Sequence, residues 1–134
     1  MNDLSLHHGA LSVSDMARSI EFYESTFGFT FDTRVIVDGG ALEIVHLRKG
    51  RSYLELFCRA GAKPLPEHAM NPDLDYQVLG TKHLAFATAD PAAVHAELKR
   101  LGVAGLTPVY DGTYYKYFFL KDPDGIVVEI VSRK

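Results

Sequence analysis

Apolar and polar positions follow two periods along this chain, and the pair of periods occurs twice. The stretches "HHGALSVSDMARS" (7–19) and "KHLAFATADPAAV" (82–94) each begin with a strand-like run that leads to an aspartate. His8, Leu11, Val13 and Asp15 match His83, Phe86, Thr88 and Asp90, every pair 75 residues apart. After each aspartate the apolar spacing lengthens to three and four, at Met16, Ile20, Tyr23 and Phe27 and again at Val94, Leu98 and Leu101, which predicts a helix in both copies. Asp15 and Asp90 stand where an N-cap accepts orphan amide hydrogens, and Pro91 takes the first helical position. Gly28 and Gly102 follow the last apolar residue of each helix, where a left-handed residue closes it.

Beyond the helices the period shortens again, in "TRVIVDGGALEIVHLRKGRSYLELFC" (33–58) and "PVYDGTYYKYFFLKDPDGIVVEIVS" (108–132), with "DGG", "RKGR" and "DPDG" as turns. Each copy thus reads as strand, helix and three strands. The expected class is α+β, a single domain over 1–134 made of two tandem βαβββ modules, at about 5–58 and 81–132. Residues 59–80 are rich in Pro, Gly, Ala and Asp and are long for a connector. They read either as a surface linker or as a lid over a cavity.

Composition narrows the function classes. With 134 residues, 47% apolar and 23% charged, the chain can bury a core without metals or disulfides. A net charge of −3 and scattered Lys and Arg give no footprint for nucleic acid. No stretch is long enough to span a bilayer and the opening has no signal-peptide pattern, so a cytoplasmic protein without a membrane partner is expected. The single Cys58 fits a reducing compartment and, inside "YLELFC", reads as core.

Strand alternation then groups the chemistry. His8, Ala10 and Ser12 share one face, as do His83, Ala85 and Ala87; Tyr53, Glu55 and Phe57 point together, and so do Val127, Glu129 and Val131. A carboxylate among Leu, Phe, Ile and Val is costly to desolvate unless something compensates it. His is followed by Glu at separations of 47 and 46 residues in the two copies. If these faces converge, two imidazoles and two carboxylates meet in one concave site, a set suited to Zn, Ni, Co, Mn or Fe(II). Without thiolates such a site keeps positions for water or substrate, and a Lewis acid beside a carboxylate base points to proton abstraction next to a carbonyl. His7 is expected on the opposite side of its strand. His46, His68 and His95 have no repeat partner, and His95 reads as surface.

The segments "HGALSVSDMARSIEFYESTFGF" and "FFLKDPDGIVVEI" resemble the opening and closing motifs of the vicinal oxygen chelate superfamily, which includes glyoxalase I, extradiol dioxygenases, methylmalonyl-CoA epimerase and bleomycin-binding proteins. Gly9 departs from the usual β-branched residue after the first His. The resemblance implies a curved mixed sheet around a divalent metal, Zn or Ni first and Mn, Co or Fe(II) as alternatives, with His8, Glu55, His83 and Glu129 as ligands. It implies a metal-dependent glyoxalase I-like lyase or isomerase, of lactoylglutathione lyase type, working through an enediolate on a small carbonyl or thiol-adduct substrate, in a homodimer. Glu129 is then the general base, with Glu55 as the alternative. The other readings are an Fe(II) dioxygenase of extradiol type held by His8, His83 and Glu129, an epimerase, and a drug-binding resistance protein. Epimerases of the family usually carry Gln where Glu55 stands. Ser12 and Arg59 occupy positions where bacterial glyoxalase I enzymes hold glutathione with Arg and Asn. Together with Tyr53, Phe57, Tyr117 and Phe119 they form the expected substrate-binding set, and Tyr115 is a further candidate for its aromatic wall.

Overall fold

The computed structural model describes residues 3–134. Its elements in chain order are β1 (His8–Ser12), α1 (Met16–Phe27), β2 (Thr30–Val37), β3 (Leu42–Lys49), β4 (Ser52–Arg59), α2 (Pro72–Asp75), β5 (Leu84–Ala87), α3 (Pro91–Arg100), β6 (Tyr110–Asp111), β7 (Tyr115–Lys121) and β8 (Val127–Arg133). They form two four-stranded mixed sheets, ordered β1-β4-β3-β2 and β5-β8-β7-β6, in an α+β fold of tandem βαβββ modules. The chain divides into one compact unit ending at Lys63 and a second running Pro64–Lys134.

Within the first unit, β1 lies parallel to β4 while β4, β3 and β2 run antiparallel. The two-residue period of β4 buries Leu54 and Leu56 with Val45 and Leu47 of β3, and it turns Tyr53, Glu55 and Phe57 to the other face. Helix α1 adds Met16, Tyr23 and Phe27 to the buried set. The Asp15 side chain accepts the Arg18 amide at 3.0 Å, as expected of an N-cap. Gly28 closes the helix at φ 68°. Ile20, expected in the core, is only half-buried, and the small Ser19 is fully buried in its place.

The second unit repeats this plan. Parallel β5 lies on β8, and Val128 and Ile130 of β8 are buried together with Phe118 and Leu120 of β7. The Asp90 side chain accepts the Ala93 amide, and beyond α3 the Gly102 and Val103 amides return to Lys99 and Leu98, a Schellman closure. Leu101, placed in the helical stripe by its spacing, is instead the C-cap and 52% exposed. Strand β6 has two residues where its counterpart β2 has eight. Pro108, with no amide hydrogen, and the turn closed by Gly112 N–H to the Tyr115 carbonyl confine it. In "DPDG" the buried Asp122 carboxylate accepts the amides of Asp124 and Ile126, both at 2.9 Å.

The segment after β4 is neither featureless nor shared evenly between the modules. From Pro64 it belongs to the second unit, and it carries a 3-10 turn at Glu67–Met70 followed by α2. Asn71 caps α2 by accepting the Asp73 amide, with Pro72 at the first helical position. Asp75, 6% exposed, pins this strap: His68 Nδ1 donates to Oδ1 at 3.0 Å and Lys82 Nζ approaches Oδ2 at 3.2 Å. The Lys82 ammonium also donates to the carbonyls of Asp75 and Val78, just before β5. Burial by itself raises the Asp75 carboxyl, but hydrogen bonds from His68 and Lys82 and the Lys82 charge outweigh it and hold the carboxyl below the ordinary aspartate value.

A depressed folded value means that the unfolded chain binds the proton more tightly. The stabilisation from Asp75 is therefore complete above the ordinary aspartate value, about 3.9, and is lost as pH falls through the lower folded value. Asp75→Asn is expected to lower the melting temperature at neutral pH and to flatten the acid limb of the stability profile. Thermal melts from pH 2 to 7 on both proteins check this.

Candidate metal-binding and catalytic site

Glu55 and Glu129 sit at equivalent places in the two sheets. Each lies on a strand with a parallel neighbour on one side and an antiparallel one on the other, and each is paired in register with an alanine of the parallel strand, Ala10 or Ala85. Two residues before that alanine stands a histidine. His8 Nε2 approaches Glu55 Oε2 at 3.4 Å, and His83 Nε2 lies 2.9 Å from Glu129 Oε2. The carboxylates are alike in exposure, at 18% and 19%. An ionised carboxylate only accepts, so the imidazole nitrogen facing it is the donor.

The antiparallel neighbours differ. His46 of β3 lies directly opposite Glu55, its Nε2 donating to Oε1 at 2.8 Å, whereas the residue opposite Glu129 is Phe119. Phe119 packs edge-on against the His83 ring at 5.4 Å. His46 was the residue that the repeat logic passed over, since the second copy has no histidine there. The hairpin turn itself carries the signal: with Lys49 paired to Ser52 across Gly50 and Arg51, the register runs back to His46 against Glu55. His68 and His95 also have partners, Asp75 and the Thr107 carbonyl. His95 is half-buried and stands edge-on to Phe118 at 5.0 Å, so it is not a surface residue.

The expected substrate-binding residues are distributed more widely. Ser12 is exposed at the end of β1, opposite Phe57. Tyr53 stacks on His7 at 4.9 Å, and the His7 Nδ1 meets the His8 Nδ1 at 2.9 Å, so His7, which precedes the strand, escapes the alternation expected of it. Phe57 pairs with Ile44. Arg59 is tied to Asp38 at 3.1 Å, with both side chains more than half exposed. Tyr117 packs between Tyr110 and Phe119, at 5.3 and 5.8 Å, while Tyr115 is exposed. Cys58 is half-buried rather than core, and its thiol donates to the Ser14 carbonyl. An open depression beside α1, bordered by Ile20, Glu24 and Arg34, includes none of the expected site residues.

Tyr76, at the end of α2, had no periodic signal to reveal it. Partial burial and then the negative charge of Glu129 push its phenol above the ordinary tyrosine value. The strap thus places a hydroxyl within electrostatic reach of Glu129.

Ligand bonds of about 2.0–2.2 Å around one ion set neighbouring donors about 3.0–3.5 Å apart. The His8–Glu55 spacing of 3.4 Å falls in that range, the His83–Glu129 spacing of 2.9 Å is the shorter one of a hydrogen bond, and imidazole with carboxylate suits a divalent ion of borderline character. Among the described residues, no three or more such side chains gather around a single metal position.

The profile of the Glyoxalase/Bleomycin resistance protein/Dioxygenase superfamily matches residues 5–130, a span containing both pairs. The chain belongs to this superfamily. It is 31% identical over 135 residues to the Escherichia coli (strain K12) protein YaeR, covering 96% of this chain and 95% of that protein. It is 27% identical to a lactoylglutathione lyase of Pseudomonas aeruginosa, over 94% of this chain and 81% of the enzyme. The crystal structure of a glyoxalase family protein from Enterococcus faecalis superposes with a TM-score of 0.81 at 26% identity, covering 98% and 99% of the two chains. Among the described residues no helix is long and apolar enough to cross a membrane.

The Arg59–Asp38 pair is an exposed one and contributes little to folding. Arg59→Ala is expected to change unfolding stability by less than about 1 kcal/mol, as read by urea denaturation.

Proposed function

We propose that this superfamily member is a metal-dependent lyase or isomerase of the glyoxalase I kind, with His8, Glu55, His83 and Glu129 as the ligand set for Zn or Ni. The observation that carries the reading is the pair of His–Glu contacts at equivalent register in two modules, at 3.4 and 2.9 Å. A divalent ion, when bound, supplies Lewis acidity that polarises a carbonyl and stabilises the negative charge left when the adjacent carbon loses its proton. The rest of the chemistry falls to the chain.

Glu129 takes a proton from the hydroxyl-bearing carbon next to the carbonyl and returns it to the carbonyl carbon, while the hydroxyl proton passes to the former carbonyl oxygen, so the substrate isomerises without oxidant or reductant. Its surroundings support that role. The carboxylate is mostly withdrawn from water, has one imidazole partner among the described residues, and is bordered by Phe119 on the antiparallel strand. Phe119 and Tyr117 offer an apolar wall for the substrate, with Tyr53 and Phe57 as its counterpart in the first module. Tyr76, raised towards its protonated form, offers a hydroxyl hydrogen to an oxygen of the substrate. Ser12 and Arg59 are proposed substrate contacts, although Arg59 must first release Asp38. A small-molecule thiol adduct of a 2-oxoaldehyde, acted on by a cytoplasmic homodimer, completes the reading.

The test is turnover of the methylglyoxal hemithioacetal by Zn- or Ni-loaded protein in deuterated water. Deuterium is expected in the product, and Glu129→Gln should cut turnover by about 10²- to 10⁴-fold. Absence of both product and exchange with Zn, Ni and Fe(II) alike overturns the proposal.

A further inference from the structure

The two modules differ at one position with chemical consequences, the antiparallel neighbour of the glutamate. In the first it is His46, bonded to Glu55 Oε1 at 2.8 Å while His8 faces Oε2 at 3.4 Å. In the second it is Phe119, which offers no hydrogen bond, and among the described residues Glu129 is hydrogen-bonded to His83 alone. Glu55 is therefore engaged at both oxygens, and Glu129 through one imidazole.

We infer that His46 is a positioning residue that fixes Glu55 as a permanent metal-facing carboxylate, so that exchange between binding and proton transfer is confined to Glu129. This rests on the ligand set proposed above. A carboxylate that presents one oxygen to an ion holds its orientation best when the other oxygen is hydrogen-bonded, and loss of such a supporting bond typically costs about 10- to 100-fold in metal affinity. The side chain of His46 is 30% exposed and its bond lies within the face of the sheet, between residues paired directly across an antiparallel ladder. Side-chain geometry there is set by the strands rather than by a loop, so the hydrogen bond is in place before any ion arrives. The Phe119 position gives Glu129 the opposite property: a rotamer change breaks one imidazole contact, whereas for Glu55 it breaks the His46 hydrogen bond and the His8 contact together.

The experiment is zinc affinity, measured by competition with a chromophoric chelator, on the full chain and its variants. His46→Phe, which copies the second module, is expected to weaken zinc binding about 10- to 100-fold. His46→Gln retains an amide donor towards Glu55 and is expected to recover most of that loss, a rescue that packing alone would not produce. In a Glu55→Gln background, His46→Phe is expected to cost nothing further, because the interaction it removes is already gone. His46→Ala substitutes in the same cycle if the phenylalanine variant does not fold. Zinc binding by His46→Phe at wild-type affinity overturns the inference, and so does an equal loss in the Phe and Gln variants. Wild-type protein that takes up no zinc removes the proposed ligand set instead, so the two failures are distinguishable.

Discussion

A glutamate flanked in sequence by two buried aliphatic residues can stay near water only because a strand alternates its faces. Leu54 and Leu56 surround Glu55, and Val128 and Ile130 surround Glu129. The aliphatic face of each strand packs into the module's core and fixes the strand in place, so the carboxylate on the other face has no freedom of register. A slip of one residue would bury the charge and expose the core. The alternation therefore determines where the chemistry lies as well as where the core lies.

Holding a carboxylate there carries a desolvation cost, which is met by imidazoles rather than by lysine or arginine. A guanidinium would occupy the carboxylate permanently. An imidazole can lose its proton and become a ligand alongside the carboxylate it first compensated, which couples metal uptake to proton release. On the proposed function the same two residues serve the empty and the loaded protein, which gives a physical reason for His and Glu to stand together in both modules.

The repeat made most of this architecture legible in the sequence. The repeat predicted both helices and their caps and set each histidine beside a glutamate of its own module, as the contacts at 3.4 and 2.9 Å show. A feature that does not repeat leaves no such signal, and His46 is the clearest case, since Phe119 stands at its counterpart and the contact with Glu55 follows from the hairpin register. The strap was hidden for a different reason. Its order comes from tertiary contacts, with Asp75 held by His68 and Lys82 and with Met70 packed so near Gly125 that a side-chain carbon there would stand 3.0 Å from the sulfur, and neither contact leaves a period in the sequence. The "NPD" cap at 71–73 was readable as a helix start, but a four-residue helix is too short to show apolar spacing. Leu101 failed because a helix ends one residue before the apolar stripe does.

The central proposal is that the His–Glu pair of each module serves metal binding. Zinc affinity of His8→Ala and of His83→Ala, measured separately by equilibrium dialysis, tests it most directly. The account predicts that each substitution alone weakens binding by at least about tenfold, while the folded state survives in both. Wild-type affinity in either variant would contradict it.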